Sequence, residues 1–533
     1  MMPMRSFLGC SNLSVRFYHR PETVLDRVSL SIEQGEKVLI LGPSGSGKST
    51  LLSVLSGIIP EHIEAEVRGE VNRRKSAAVM FQDPDSQFCM LHVDEEIAFS
   101  LENRSVPPKD MDRIISELME LVGLKIDKKT PIETLSGGMK QRLALACLLA
   151  LEPEVLFFDE PTAQLDPASR QDIFALLRDV SRKSGQTMVF VEHVLDGCIE
   201  WMDRVILFNE KGQIIADGKP EEIVKHFQPE MKAAGIWQPK LYPAVWEDVT
   251  TQDDHPLAVK LSSTLKMKEE EAKNRPSADR DILIRTEDAA IGYRKKIVAD
   301  GINLEIPRGE WISVIGGNGS GKSTFLKSLI RLEAVKKGRI YLEGRELKKW
   351  SDRTLYEKAG FVFQNPELQF IRDTVFDEIA FGARQRSWPE EQVERKTAEL
   401  LQEFGLDGHQ KAHPFTLSLG QKRRLSVATM LLFDQDLLLL DEPTFGQDEK
   451  TAKELIKRLK ERQERGTTIL MVTHDMDIVD EHSDRVIVFH QGKAAYQGTP
   501  YQLFSDQDLV RRFSLIPPLH YRFMHERKER VPV

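Results

Sequence analysis

The sequence predicts an α/β protein made of two copies of one domain, each a mainly parallel sheet with an antiparallel β part. Three observations predict it. Six segments recur in the same order along the 533 residues. Each copy opens on an apolar run, a glycine-rich loop and a stretch with helical spacing. Short β-rich runs then alternate with amphipathic stretches in both halves.

Taken in order, GPSGSGKST (Gly42 to Thr50) returns as GGNGSGKST (Gly316 to Thr324), and FQDPDSQF (Phe81 to Phe88) as FQNPELQF (Phe363 to Phe370). EEIAFS at Glu95 returns as DEIAFG at Asp377, and LSGGMKQRLALA at Leu135 as LSLGQKRRLSVA at Leu417. VLFFDEPTAQLD at Val155 returns as LLLLDEPTFGQD at Leu437, and VFVEH at Val189 as LMVTH at Leu470. Lys48 and Lys322 are 274 residues apart; Gln82 and Gln364, Leu135 and Leu417, and Asp159 and Asp441 are each 282 apart; His193 and His474 are 281 apart. A near-constant offset over so long a stretch means duplication, and a period that long makes each copy a domain rather than a solenoid unit. The expected boundaries are residues 1–240, a linker at 241–280 holding the mixed-charge run Lys266 to Arg275 and Pro276, and 281–533.

KVLILG reads as a buried strand feeding the first glycine loop, and Leu51, Leu52 and Leu55 give the following stretch its helical face. VLFFD and TMVFVEH are apolar runs suited to the inside of a parallel sheet. Arg204 to Gly218 reads as a hairpin turning at Lys211-Gly212, and Arg485 to Gly498 repeats it.

Composition narrows the function. Apolar residues at 41% and charged residues at 29% are ordinary globular values, which excludes disorder as the main state. Lys and Arg number 74 against 83 Asp and Glu, a net charge of −9, so general electrostatic attachment to nucleic acid is not expected. No apolar run approaches the roughly 18 residues needed to span a bilayer, and the first residues lack the apolar stretch of a secretory leader. Cys10, Cys89, Cys147 and Cys198 are 79, 58 and 51 residues apart, a spacing that forms neither a metal knuckle nor a disulfide framework. A cytosolic, reduced chain is expected.

GxxxxGK[ST] occurs twice, each time between a strand and a helix, the context of a phosphate-binding P-loop. Backbone N–H groups must wrap phosphate oxygens there, and a Cβ would block the approach. The expected nucleotide-binding residues are Gly42, Pro43, Ser44, Gly45, Ser46, Gly47, Lys48, Ser49 and Thr50, with Gly316, Gly317, Asn318, Gly319, Ser320, Gly321, Lys322, Ser323 and Thr324. Lys48 and Lys322 suit the β- and γ-phosphates, and Ser49 and Ser323 suit Mg²⁺. Asp159 and Asp441 each end an apolar strand and suit the same Mg²⁺; the adjacent Glu160 and Glu442 are placed to orient or deprotonate an attacking water. Ser136, Gly137 and Gly138, with Ser418, Leu419 and Gly420, open a helix whose amides offer a second phosphate cradle. One loop cannot supply both cradles for one phosphate chain, so a second domain must contribute one.

This ordered set resembles the ATP-binding cassette ATPases over about 450 residues. The resemblance implies two P-loop NTPase domains, each with a helical subdomain, that pair head to tail around two ATP. One site would join the first P-loop to Leu417–Gln421, the other the second P-loop to Leu135–Met139. It also implies that Gln82 and Gln364 sit near the Mg²⁺, that His193 and His474 contact the γ-phosphate, that Asp166 and Asp448 belong to an acidic loop, and that Phe17 and Tyr293 stack on adenine.

FQDPDSQF and FQNPELQF, each followed by an acidic segment and IAF, resemble the energy-coupling-factor importers of vitamins and transition metals, as do the tails Ala233 to Pro243 and Phe513 to Arg522. Tandem subunits of that family include ones assigned to thiamine-precursor uptake. The resemblance implies a peripheral motor on the cytoplasmic face of the membrane, reaching it only through a scaffold (T-type) and a substrate-binding (S-type) transmembrane subunit, with no nucleic acid. A sugar-importer ATPase would usually carry a degenerate second P-loop, but GGNGSGKS is intact. A ribosomal factor would usually carry a long charged helical insert and a basic surface. A DNA-repair cassette protein would carry a long coiled coil.

Two further expectations concern particular residues. Asp85, Asp94, Glu95 and Glu96, with Glu367, Asp377 and Glu378, are expected to meet arginines of the membrane scaffold. Leu419 stands where Gly137 stands, and a side chain there, forbidding glycine-only dihedrals, is expected to make the two sites unequal.

Overall fold

The computed structural model describes residues 7–18, 22–43, 45–74, 76–163, 165–274, 281–293 and 296–530; Ser44 and the stretch holding Pro276 lie outside them. The chain divides into two compact units, one of Met1–Val245 with Asp448–Thr451, the other of Trp246–Gln447 with Ala452–Val533.

Among the described residues, the first unit is built on a six-stranded sheet in the spatial order Ala77–Met80, Val155–Asp159, Thr187–Val191, Lys37–Leu41, Arg204–Phe208, Ile214–Gly218. The first five are parallel and the last pairs antiparallel, through the predicted hairpin with Gly212 at φ 69°. Both faces are covered, which is why these strands read as unbroken apolar runs. Val38, Ile40, Phe157 and Val189 face a core shared with helix Lys48–Ser56 and a three-stranded antiparallel sheet of Thr23–Ile32, Leu8–Phe17 and Ala65–Asn72. Leu39, Leu41, Phe158 and Phe190 face the other way, toward the helices Val93–Asn103, Pro108–Leu121 and Gly137–Ala150. This alternation is the period-2 geometry of a strand.

The second unit repeats the plan. Its sheet runs Ala359–Val362, Leu437–Asp441, Thr468–Val472, Trp311–Gly316, Arg485–His490, Lys493–Gly498. The antiparallel sheet is rebuilt around Ile282–Tyr293, and the helices Val375–Gln385, Glu390–Glu403 and Leu419–Met430 form its helical part. The segment between the copies carries the helices Trp246–Thr251 and Pro256–Lys273, and the latter packs along the C-terminal helix Leu519–Arg530. Buried Asp480 ties them together: its Oδ1 accepts from Tyr521 Oη at 2.9 Å, and Lys268 Nζ lies 3.3 Å from its Oδ2. The composition reads as a solvated, partly helical linker; the helix is there, but it is half of a helix pair, with Lys268 drawn inward by Asp480, 212 residues away.

Candidate functional site

In each unit an inner strand ends at the glycine loop, and the next helix starts at its lysine: Lys48–Ser56 and Lys322–Leu329. A Cβ at Gly316 would lie 2.0 Å from the Phe489 carbonyl oxygen, so the loop is pinned to the neighbouring strand. At Gly45 and Gly319, with φ of 84° and 74°, a Cβ would meet nothing within 4 Å and would instead fill the mouth of the loop. Ser46 Oγ and Ser320 Oγ are buried in these loops and have no hydrogen-bond partner among the described residues. Unpaired buried hydroxyls cost free energy, and phosphate oxygens are the partners this cradle suits. Lys48 Nζ donates to the Gly42 and Pro43 carbonyls at 2.8 Å; Lys322 Nζ donates to Gly316 and Gly317 at 2.8 and 3.0 Å. Burial pulls the Lys48 ammonium down to about 8, with Glu160 and Asp159 opposing it.

Asp159 and Asp441 end their strands beside the helix serines: Ser49 Oγ donates to Asp159 Oδ1, and Ser323 Oγ to Asp441 Oδ1, both at 2.9 Å. Burial raises each of these carboxyls to about 6. A hydroxyl and a carboxylate side by side, both oxygen donors on a desolvated floor, are the hard ligand set that Mg²⁺ takes. The residues fit that ion.

Glu160 and Glu442 follow in the left-handed region, at φ 50° and 52°. Each is held there by its own N–H, which donates to the last residue of the next strand, Val191 at 2.9 Å and Val472 at 3.0 Å. The turn aims the carboxylate off the sheet edge toward the histidine: His193 Nε2 is 2.8 Å from Glu160 Oε1, and His474 Nε2 is 3.2 Å from Glu442 Oε1. Burial pushes the Glu160 carboxyl up, but the hydrogen bond and charge of His193, with Lys48, outweigh it, and Glu160 sits below the ordinary carboxylate range. Gln82 Nε2 donates to Glu160 Oε2 at 2.9 Å, whereas Gln364 is exposed.

The glycine-serine segments do start helices. Ser136 Oγ accepts from Met139 N, and Ser418 Oγ from Gln421 N, both at 3.4 Å. Gln421 returns the bond, its Oε1 accepting from Ser418 N at 3.0 Å, a capping box that Met139 cannot make. Gly137, Gly138 and Gly420 do not have positive φ. Gly137 and Leu419 are both the first residue of an ordinary helix, so the expectation that Leu419 forbids a glycine-only conformation is overturned. Asp166 caps its helix through bonds from Ala168 N and Ser169 N, and Asp448 accepts from Thr451 N. Phe17 packs partly into the core while Tyr293 is exposed.

The acidic stretches are a second correction. Glu96 and Glu378 are buried, and each accepts two backbone N–H bonds from the loop before its helix: Cys89 and Met90 at 2.9 and 2.7 Å, Ile371 and Arg372 at 2.9 and 2.7 Å. Asp85 pairs with Lys140 and Glu367 with Lys422, each at 2.6 Å, tying the glutamine loop to the signature helix in both copies. Asp94 pairs with Lys129, Glu95 with His92, and Asp377 with Arg384. These carboxylates are committed within their own unit. Apolar side chains are exposed on the same stretches: Leu91, Leu368 and Ile371 are 76%, 68% and 62% exposed.

Two phosphate loops, each backed by a strand-end Asp-Glu pair and a facing histidine, define a tandem P-loop enzyme that acts on nucleoside triphosphates. A family model described as "ABC transporter" matches residues 25–163 and again 299–445. The chain belongs to the ABC transporter family; it is an ATP-binding subunit of a transporter, and the family hydrolyses ATP.

A Bacillus subtilis (strain 168) protein provisionally named an HMP/thiamine import ATP-binding protein is 37% identical over 548 residues, covering 99% of this chain and 98% of that protein. A Caldanaerobacter subterraneus protein provisionally named an ABC transporter ATP-binding protein is 35% identical over 537 residues, covering 95% and 94%. The solved structure of cbiO1 from Clostridium perfringens, described as part of the ABC transporter complex cbiONQ, is 32% identical and covers 46% of this chain and all of its own, with a TM-score of 0.39. No helix among the described residues is long and apolar enough to cross a membrane.

Residues that sequence reasoning passed over also reach the site. Arg423, buried in the second signature helix, donates Nη1 to the Glu442 carbonyl at 3.2 Å. Its counterpart Gln141 is buried with neither amide atom bonded among the described residues. Glu192, next to His193, is buried as well. The signal was in the repeat itself, as unlike residues at matched positions.

Proposed function

We propose that this chain is the ATP-hydrolysing motor of an importer of the energy-coupling-factor type, driving uptake of a vitamin or metal through separate scaffold and substrate-binding membrane subunits. The observation that carries the reading is the full-length likeness to a protein provisionally named for HMP/thiamine import, with both P-loops, both Asp-Glu pairs and both histidines present in this chain. In this reading the loop amides, Ser46 and Ser320 bind the phosphates, and Lys48 and Lys322 leave their carbonyl partners for the β- and γ-oxygens. Ser49, Asp159 and Gln82, and Ser323, Asp441 and Gln364, hold Mg²⁺, which when bound offsets charge on the β- and γ-phosphates. Glu160 and Glu442 orient the water and accept its proton, and His193 and His474 hold the glutamate and the γ-phosphate in register. Glu160, kept ionised by His193, is in the form that task requires.

Membrane subunits would dock on the exposed apolar residues beside the glutamine loops, Leu91, Leu368 and Ile371. The Asp85–Lys140 and Glu367–Lys422 pairs would carry that contact to the signature helices. The test is uptake. Deleting the gene should abolish import of labelled HMP or thiamine, and the wild-type chain should co-purify with two membrane proteins while a Leu91→Asp/Leu368→Asp/Ile371→Asp variant should not. Normal uptake of both compounds in the deletion strain would rule out this cargo, and co-purification with ribosomes instead of membrane proteins would rule out the importer.

A further inference from the structure

The residue before each site histidine, His193 and His474, differs between the copies: Glu192 in the first, Thr473 in the second. Glu192 is 3% exposed. Its Oε1 accepts from Thr162 Oγ1 at 2.8 Å and from Thr162 N at 3.2 Å; its Oε2 accepts from His193 N at 3.3 Å. Thr162 lies two residues after Glu160, so one carboxylate joins the loop that follows the glutamate to the backbone of the histidine that holds the glutamate. Arg170, in the first turn of helix Pro167–Ser184, sets its charge against Glu192; Glu160, His193 and Cys198 are the other titratable groups that feel it.

The second copy has neither charge. Thr473 is buried, and its Oγ1 accepts a local bond, from Asp475 N at 3.0 Å. Ala452 stands where Arg170 stands, 282 residues on, at the offset of Asp159 and Asp441. The two positions differ together. A buried carboxylate without a compensating charge is costly, so Glu192 and Arg170 make sense as a set. A threonine at 192 would suffice for packing, as it does at 473. A carboxylate is needed to accept three donors from two separate loops at once.

We infer that Glu192, supported by Arg170, is a positioning residue of the first ATP site alone, clamping the Thr162 loop to His193 so that Glu160 keeps its place during turnover. The inference rests on the roles proposed above for Glu160 and His193. If Glu160→Gln leaves turnover in the first site intact, those roles fail; the Glu192 variants test the clamp separately.

The test uses the full chain carrying Glu442→Gln, in which turnover reports the first site, with rates normalised to the number of ATP-binding sites titrated. Glu192→Gln keeps an acceptor for Thr162 but turns an N–H toward the His193 N–H; Glu192→Thr keeps neither link. The expected order of kcat is Glu, then Gln about threefold lower, then Thr about tenfold lower, with KM for ATP within twofold throughout. Adding Arg170→Ala to Glu192→Thr installs both second-copy residues. This pair should regain thermal stability while kcat stays low. A kcat that recovers with stability would make Glu192 a folding residue and overturn the inference. Unchanged kcat, or an effect confined to KM, would overturn it as well.

Discussion

The two copies fix the same glutamate by different means. A histidine faces the carboxylate in both, but in the first Gln82 also bonds it, and buried Glu192 joins the loops on either side. In the second, Glu442 is more buried and is held from below, by Arg423 of its own signature helix on its backbone carbonyl. The phosphate loop, the Ser–Asp pair and the left-handed glutamate are the same in both. The groups that must meet phosphate and metal have little geometric freedom. The groups that merely hold the glutamate can be any that satisfy its surroundings, and there the copies have drifted.

The largest expected effect breaks what is common. Lys48→Ala with Lys322→Ala should lower ATP turnover at least 10³-fold, about 4 kcal/mol of barrier, because the reaction depends on charge stabilisation of the phosphates. A coupled ATPase assay on the purified chain checks this, and unreduced turnover would dispose of the ATPase reading of both loops.

The next effect is on stability and carries a pH signature. Burial lifts Asp159 and Asp441 to about 6 in the folded chain without metal. Between about 4 and about 6 the folded state therefore binds more protons than the unfolded state, so stability falls as pH rises through that window. Asp159→Asn/Asp441→Asn should flatten that slope and, near pH 7 without Mg²⁺, add on the order of 3 kcal/mol per site, since the rise is about two units and each is about 1.4 kcal/mol. Thermal melts across pH decide it; an unchanged slope would mean these carboxyls are not strained. The same variants should lose Mg²⁺-dependent nucleotide binding, a stability gain taken at the cost of function.

The comparison sharpens at the glutamates. Glu442→Gln should cost more turnover than Glu160→Gln by about tenfold, or 1.4 kcal/mol. With Leu419 in an unstrained helical turn, the asymmetry has its ground in the unlike supports. Arg423→Gln, which installs the first copy's residue, should reproduce part of the Glu442→Gln loss. Equal losses from the two glutamate variants would mean that the sites are equivalent or strictly coupled.

The smallest effect concerns the signature helices. Ser418→Ala removes a hydroxyl that shares a reciprocal box with Gln421, and Ser136→Ala removes a single cap bond. The expected losses are about 1 and about 0.5 kcal/mol by denaturant titration. Met139→Gln should restore the box and stabilise the first helix.

Much of this was legible in the sequence for a stated reason. The strands are apolar throughout because both faces are covered, and the loops announce themselves because only certain residues can approach a phosphate. The left-handed glutamate was not legible, because a non-glycine residue at φ 50° is held there by a neighbouring strand, Val191 or Val472. The acidic stretches misled for the same kind of reason. Nothing local to Asp85 reveals that Lys140, 55 residues on, neutralises it, nor that Glu96 turns inward to close its own loop. Charge in a sequence is visible; its partner is a property of the fold.

The carboxylate at position 192 and the cation at position 170 also constrain how such a pair can be gained or lost. Arg170 is half-buried, so without Glu192 its charge is left partly shielded from water, and Glu192 without Arg170 is an interior carboxylate with less to offset it. Either half alone is the less stable state, so a lineage is expected to gain or lose the two together. Relatives should therefore carry glutamate with arginine, or threonine with alanine, and rarely a mixed pair at these two positions.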